Sequence, residues 1–214
     1  MAAKPTFFRT PADFRAWLER NHATAKELVV SFYRGLDVGT MRTDMGETQH
    51  AIRIERATPR DVPVVLQMIR ALAEYERMLD DVVATEEGIR EALFGPRPDA
   101  EVLLAYAGDE PAGFALFFHN FSTFVGRRGL YLEDLFVKPE LRGRGIGKRL
   151  LAELARIAVE RNCGRFEWTV LDWNAPSIAF YRSLGARKME EWQIFRLDGD
   201  ALTRLAEQAP TAMA

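Results

Sequence analysis

The chain has 214 residues, 48% hydrophobic and 28% charged, a composition that suits one ordinary globular domain plus an appendage. A formal net charge of -2 argues against nucleic-acid binding through bulk positive charge, and the single cysteine, Cys163, excludes an intrachain disulfide or a cysteine-based zinc cluster. His22, His50 and His119 form no metal-ligand spacing, no apolar run approaches membrane-spanning length, and the N-terminus lacks a signal-peptide core, so a soluble cytoplasmic protein without metal is expected.

The first fifty residues read differently from the rest. Thr10 as N-cap and Pro11 at the first helical position open a helix on which Phe14, Trp17 and Leu18 share one face. Residues 27–33 (ELVVSFY) read as a strand, and residues 36–49, which show no hydrophobic period, as a linker. One helix and one strand bury too little surface to be stable alone. The segment PTFFRTPADFRAWLERNHATAKELVVSFYR resembles the opening of a small bacterial family described as bacteriocin-protection or OmpD-associated proteins, without the body of that domain. Residues 1–50 are accordingly expected to be an N-terminal extension, and 51–214 the functional domain.

From Ala51 the pattern is regular. Residues 51–57 alternate as a strand, and Thr58, Pro59 and Asp61 open a helix running to about Met78 with Val62, Leu66, Ile69, Leu72 and Ala73 inward. Thr85 caps a second, short helix ending near Gly95. Strands follow at 101–107 and 111–118, joined by a turn at 108–110, and then at 130–137. A helix is expected from about Gly145 to Arg161, a strand at 165–171, and a helix at 176–184 entered through Asn174 or Ala175. Strands at 187–190 and 192–197 and a short helix at 199–208 close the chain. This order predicts an α/β fold with a mixed central sheet rather than a doubly wound one.

The organising stretch is LYLEDLFVKPELRGRGIGKRLL, residues 130–151. Strand, glycine-rich basic loop and helix N-terminus in that order form an anion site, because unpaired backbone N–H groups and the helix dipole converge there. Gly143, Gly145 and Gly147 permit close backbone approach, while Arg142, Arg144 and Lys148 add charge, which suits a pyrophosphate. The spacing fails the Walker pattern, and it fails the dinucleotide fingerprint, which belongs directly after a first strand. It does match an apolar strand, Val-x-Pro, two residues, then Arg-Gly-x-Gly-apolar-Gly, over residues 136–147.

That string resembles the coenzyme A-binding signature of the GNAT superfamily of acyl-CoA N-acyltransferases. The resemblance implies the GNAT fold, with a splayed strand pair, and acetyl-CoA as cosubstrate. It also implies that backbone groups of Arg142, Gly143, Arg144, Gly145, Ile146 and Gly147, with Lys148, hold the pyrophosphate. Leu135, Phe136 and Val137 would pair with the pantetheine arm, whose amides mimic a missing sheet neighbour. Residues 52–208 resemble a narrower branch, the diamine (spermidine/spermine) and thialysine N-acetyltransferases. That likeness rests on Arg56-Ala-Thr-Pro-Arg-Asp61, Leu72-Ala-Glu-Tyr-Glu76, Tyr131-Leu-Glu-Asp134, Trp173-Asn-Ala-Pro-Ser-Ile178, Phe180-Tyr181 and Glu191-Trp192.

Amide formation at neutral pH requires deprotonation of an alkyl ammonium, stabilisation of an oxyanion and protonation of a thiolate. Glu133 is the expected base and Tyr181 the expected acid, both at positions where the resemblance places them. A backbone N–H at 135–137 would meet the oxyanion. Alternation predicts that Glu133 and Asp134 point to opposite sheet faces. By resemblance, Asn174 and Ser177 contact the coenzyme arm. Tyr75, Glu76, Asp134 and Trp192 lie on the substrate side, where Glu74, Glu76, Asp80 and Asp81 would attract a cation and Trp192 would offer an aromatic wall. Arg127 and Arg128 add positive charge near the substrate-side loop, which keeps short lysine-like amines in view beside long polyamines. Cys163 lacks a basic partner set and is read as structural.

The leading expectation is transfer of acetyl from acetyl-CoA to a primary amine of a small cationic molecule in a ternary complex. Alternatives are acetylation of a protein lysine or N-terminus, and coenzyme A binding without catalysis. The late strands and the resemblance suggest a homodimer; no nucleic acid or membrane partner is expected.

Overall fold

The computed structural model describes residues 51–210. The expected helix after Thr10, the strand at 27–33 and the linker at 36–49 lie outside the described residues.

One five-stranded sheet forms the centre, in the order β1 (Ile52–Arg56), β2 (Glu101–Ala107), β3 (Glu110–Ser122), β4 (Arg127–Val137) and β5 (Phe166–Trp168). The first four strands form an antiparallel meander, and β5 joins β4 in parallel, so the sheet is mixed as expected. β2 reads as a continuous apolar run because both of its faces are covered, with Val102, Leu103, Leu104 and Ala105 all buried. At Gly113 a Cβ would lie 2.5 Å from the Phe136 carbonyl oxygen, so only glycine permits this approach of β3 to β4.

Helices cover both faces. α1 (Val62–Glu76) and α2 (Glu86–Phe94) bury Val62, Val65, Met68, Ile89 and Leu93 against Val102, Leu104, Phe114 and Phe136. On the opposite face α3 (Ile146–Glu160) presents Ile146, Leu150, Leu154 and Ile157 at helical spacing to Leu103, Phe117, Leu130 and Leu132. Leu150 and Leu154 are fully buried, and truncating either to alanine is expected to cost about 2–5 kcal/mol.

Local chemistry sets the helix ends. The Thr58 N–H and hydroxyl both donate to Asp61 Oδ2, at 2.8 and 2.7 Å, and hold Pro59–Asp61 as a tight turn before α1. α1 stops at Glu76, two residues earlier than expected, because Arg77 turns left-handed (φ 62°) and the Met78 N–H donates to the Ala73 carbonyl. Thr85 Oγ1 accepts from the Gly88 N–H at 3.1 Å and caps α2. Asn174 Oδ1 accepts from the Ser177 N–H at 3.3 Å and caps α4 (Ala175–Ser183).

Two expectations fail in the last third. β5 spans three residues rather than 165–171, and 187–190 and 192–197 form no strand. The second of these segments is rich in apolar residues, yet Trp192 is 70% and Phe195 88% exposed. A strand needs a neighbouring ladder, and among the described residues none pairs with these segments. The chain returns to helix only at α5 (Gly199–Ala206).

Candidate active site

β4 pairs with β5 only at Leu130, Tyr131 and Leu132. From Glu133 onward its β5-side edge has no strand partner among the described residues, which is the expected splay. Leu135, Phe136 and Val137 lie on this open stretch, held from the other side by Ala115, Phe114 and Gly113 of β3. The splay leaves backbone hydrogen-bonding capacity for an extended amide-bearing ligand arm.

A tight turn at Pro139–Leu141 leads into the glycine loop. Gly143 and Gly145 both have φ of +79°, a conformation that costs an L side chain roughly 1–2 kcal/mol. The first backbone bond of α3 runs from the Arg149 N–H to the Gly145 carbonyl, and no side chain caps the helix. The N–H groups of Ile146, Gly147 and Lys148 therefore have no partner within the helix, while Arg144 and Lys148 stand exposed beside them. Gly147 packs close to Val137 and Phe180, which meet its ideal Cβ at 3.8 and 3.9 Å. These features fit a pyrophosphate: open donors at a helix N-terminus, left-handed glycines and flanking cations.

The Arg142 side chain, expected to add charge beside the phosphates, also has partners within the fold. Its Nε donates to the Val137 carbonyl at 2.9 Å, and its guanidinium lies 4.3 Å from the Tyr75 ring centroid. Tyr75 in turn meets Trp173 with ring centroids 6.1 Å apart. Arg142, Tyr75 and Trp173 thus link the glycine loop, the end of α1 and the entry to α4 in one stack. Sequence reasoning missed this role of Trp173, although its place directly before the Asn174 cap was a usable signal. Trp192, expected as the aromatic wall, instead stands in the exposed stretch after α4.

The carboxylates sit at an irregularity of β4. The β3–β4 register shifts between Leu116 and Phe117, which pair with Asp134 and Leu132, so Glu133 is the extra residue of a bulge. Leu130 and Leu132 face α3, but so do Leu135 and Val137, while Phe136 faces α1 and α2. The alternation therefore changes phase at Glu133 and puts Asp134 on the α1 side. Glu133 is exposed and Asp134 partly buried.

Burial, then Glu133 and then Glu76 raise the Asp134 carboxyl to a pKa of about 6. Burial also raises Glu76, the last residue of α1. Tyr181 on α4 packs against Trp168 with centroids 5.1 Å apart, and its phenol is pushed up by burial and by Glu76. Glu76 is thus the charge felt by both Asp134 and Tyr181. Of the other acids expected to help, Glu74, Asp80 and Asp81 are exposed.

Asn174 is buried at 7% exposure, with its Oδ1 engaged in capping, and Ser177 is half-buried beside it on α4. Cys163 follows the C-terminal end of α3, away from the glycine loop, and packs against the core. Arg127 and Arg128 sit at the start of β4, about 17–20 Å along the strand from Glu133, rather than on the substrate side of this site. Among the described residues, no group of three His, Cys, Asp or Glu side chains could hold a metal, and no helix is long and apolar enough to cross a membrane.

Residues 67–186 match the model of the Acetyltransferase (GNAT) family. The chain is 40% identical to thialysine N-epsilon-acetyltransferase of Sus scrofa over 73% of its length and 98% of the relative's. It is 35% identical to L-ornithine N5-acetyltransferase NATA1 of Arabidopsis thaliana over 70% of its length and 86% of the relative's. Among solved structures, an integron cassette protein from the mobile metagenome of V. cholerae superposes with a TM-score of 0.64 at 29% identity, over 73% of this chain and 98% of that one. An aminoglycoside acetyltransferase from a soil metagenome, at 20% identity and TM-score 0.60 over 69% of this chain and 97% of that one, shares the fold. The chain belongs to the GNAT family of acetyltransferases and is an N-acetyltransferase, of a family that draws its acetyl group from acetyl-CoA.

Proposed function

We propose that the protein acetylates a primary amine of a small cationic molecule (a diamine, a polyamine or a lysine-like amino acid) by direct attack in a ternary complex, with residues 51–214 as the catalytic domain. The observation that carries this reading is a chain of charges: Glu133 and Glu76 both act on the Asp134 carboxyl, and Glu76 also acts on the Tyr181 phenol. Three neighbouring carboxyl groups, with Glu76 and Asp134 partly buried, favour a cation, and a phenol held protonated by burial and Glu76 is poised to donate. The names of the two relatives above, thialysine and ornithine acetyltransferases, support an amine that also carries an amino-acid group.

When bound, acetyl-CoA supplies the acetyl group as an activated thioester. The N–H groups at the start of α3 and the cations Arg144 and Lys148 hold the pyrophosphate. The open edge at 135–137 aligns the extended arm and offers a backbone N–H to developing negative charge. Asn174 shapes the entry to α4, and Ser177 faces the same arm. Glu76 and Asp134 hold the ammonium against Tyr75. Glu133, exposed at the bulge, takes the proton from the attacking amine directly or through water, and Tyr181 returns one to the departing sulfur.

Exposed Trp192, Ile194, Phe195 and Leu197 give the apolar surface for a homodimer, which light scattering tests. Initial rates with both substrates varied test the ternary route. Intersecting lines and no acetylated enzyme by intact mass are expected, whereas parallel lines with an acetylated chain would refute direct attack.

A further inference from the structure

At the opposite end of the sheet from the glycine loop, the β3–β4 hairpin and the C-terminus of α3 line an open cavity of about 580 Å³. Its walls include His119, Phe121, Arg127, Arg128, Arg161 and Asn162. α3 separates it from the loop, since the helical rise puts Arg161 about 24 Å from Gly145. It is therefore distinct from the amine and coenzyme sites.

The charge here is unbalanced. Arg161 donates through both of its terminal nitrogens to the two carboxylate oxygens of Glu101, with Nη2 to Oε2 at 2.8 Å. The same carboxylate accepts from Arg56, so one anion serves two guanidinium groups. Arg127 Nη1 donates to the neutral Asn162 Oδ1 at 3.2 Å, and among the described residues no carboxylate pairs with Arg127 or Arg128. His119 registers this field: burial, then Arg161 and Arg128, lower its pKa against the opposing pull of Glu101. Arg127 and Arg161 are tethered, so engaging an anion costs them little further side-chain freedom. Its wall also offers an apolar ring, Phe121, which is 64% exposed.

We propose that this cavity is a second binding site, for a small organic anion whose carboxylate or phosphate group is held by Arg127 and Arg128 and whose apolar body lies on Phe121. The Arg127 and Arg128 guanidinium groups choose the sign of the ligand, and the exposed ring selects an aromatic or aliphatic body over a bare ion.

The imidazole proton resonances of the full chain read this directly. His119→Gln assigns the His119 signal, and chloride reports effects common to any anion. Benzoate, phenyl phosphate, acetate and chloride are titrated at constant ionic strength with coenzyme A present to fill the glycine loop. The His119 readout needs no catalysis, so its failure is separable from failure of the acetyltransferase reading. Saturation by benzoate or phenyl phosphate at least about tenfold below acetate is expected, the better of the two naming the head group. Arg127→Gln/Arg128→Gln is expected to raise the half-saturating concentration at least about tenfold, and Phe121→Ser to erase the preference over acetate. A His119 signal that stays still, or that chloride moves as readily as benzoate and phenyl phosphate do, would overturn the proposal, as would unchanged saturation in the double arginine variant.

Discussion

Asp134→Asn should stabilise the protein while impairing its chemistry. In the fold the Asp134 carboxyl titrates near pH 6, raised by burial and by Glu133 and Glu76, against an ordinary value of 3.8. The folded state therefore holds this proton more tightly than the unfolded chain, so stability falls as pH rises between the two values. The gap of about two pH units, at 1.36 kcal/mol each, amounts to about 3 kcal/mol of destabilisation at pH 8 and less than about 1 kcal/mol at pH 4. Asparagine keeps the shape and removes the charge. Urea unfolding at pH 8 should show the variant more stable by up to about 3 kcal/mol, and the gain should shrink steadily toward pH 4. Acetylation of small amines should fall in parallel, as when a strained site is relaxed. A variant no more stable than the parent at pH 8, or one whose gain is independent of pH, would refute the reasoning.

Tyr181→Phe should lower turnover at least about tenfold with coenzyme binding kept, measured by thiol release and calorimetry. The parent should stay active well into the alkaline range, because burial and Glu76 hold the Tyr181 phenol protonated there. Unchanged turnover in the phenylalanine variant would remove Tyr181 from the acid role. Tyr75→Ala should raise KM for both the coenzyme and the amine, because its ring lies under Arg142 of the glycine loop and against Trp173. A change confined to the amine would show that the stack does not link the two sides.

The glycine loop was legible because its signals are local: left-handed backbone at Gly143 and Gly145, and an apolar strand running directly into it. The ends of α2 and α4 were legible for the same reason, since Thr85 and Asn174 cap within three residues. Long-range pairing was not. The bulge at Glu133 follows from how β3 meets β4, so counting alternation along β4 alone could not say which face Asp134 takes. The late strands looked right by composition, but strand formation depends on a partner that no local pattern supplies. Trp173 and Trp192 could not be ranked from sequence, because which ring reaches Tyr75 is decided by where α4 begins. Arg127 and Arg128 read as substrate-side charge until the hairpin's length carried them to the far end of the sheet.

The most direct test of the account is release of free thiol from acetyl-CoA across a panel of thialysine, lysine, ornithine, putrescine and spermidine, with the acetylated amine identified by mass. Amine-dependent release with at least one of these, strongly reduced by Glu133→Gln, is the predicted result. Tight acetyl-CoA binding with no release for any amine would contradict it.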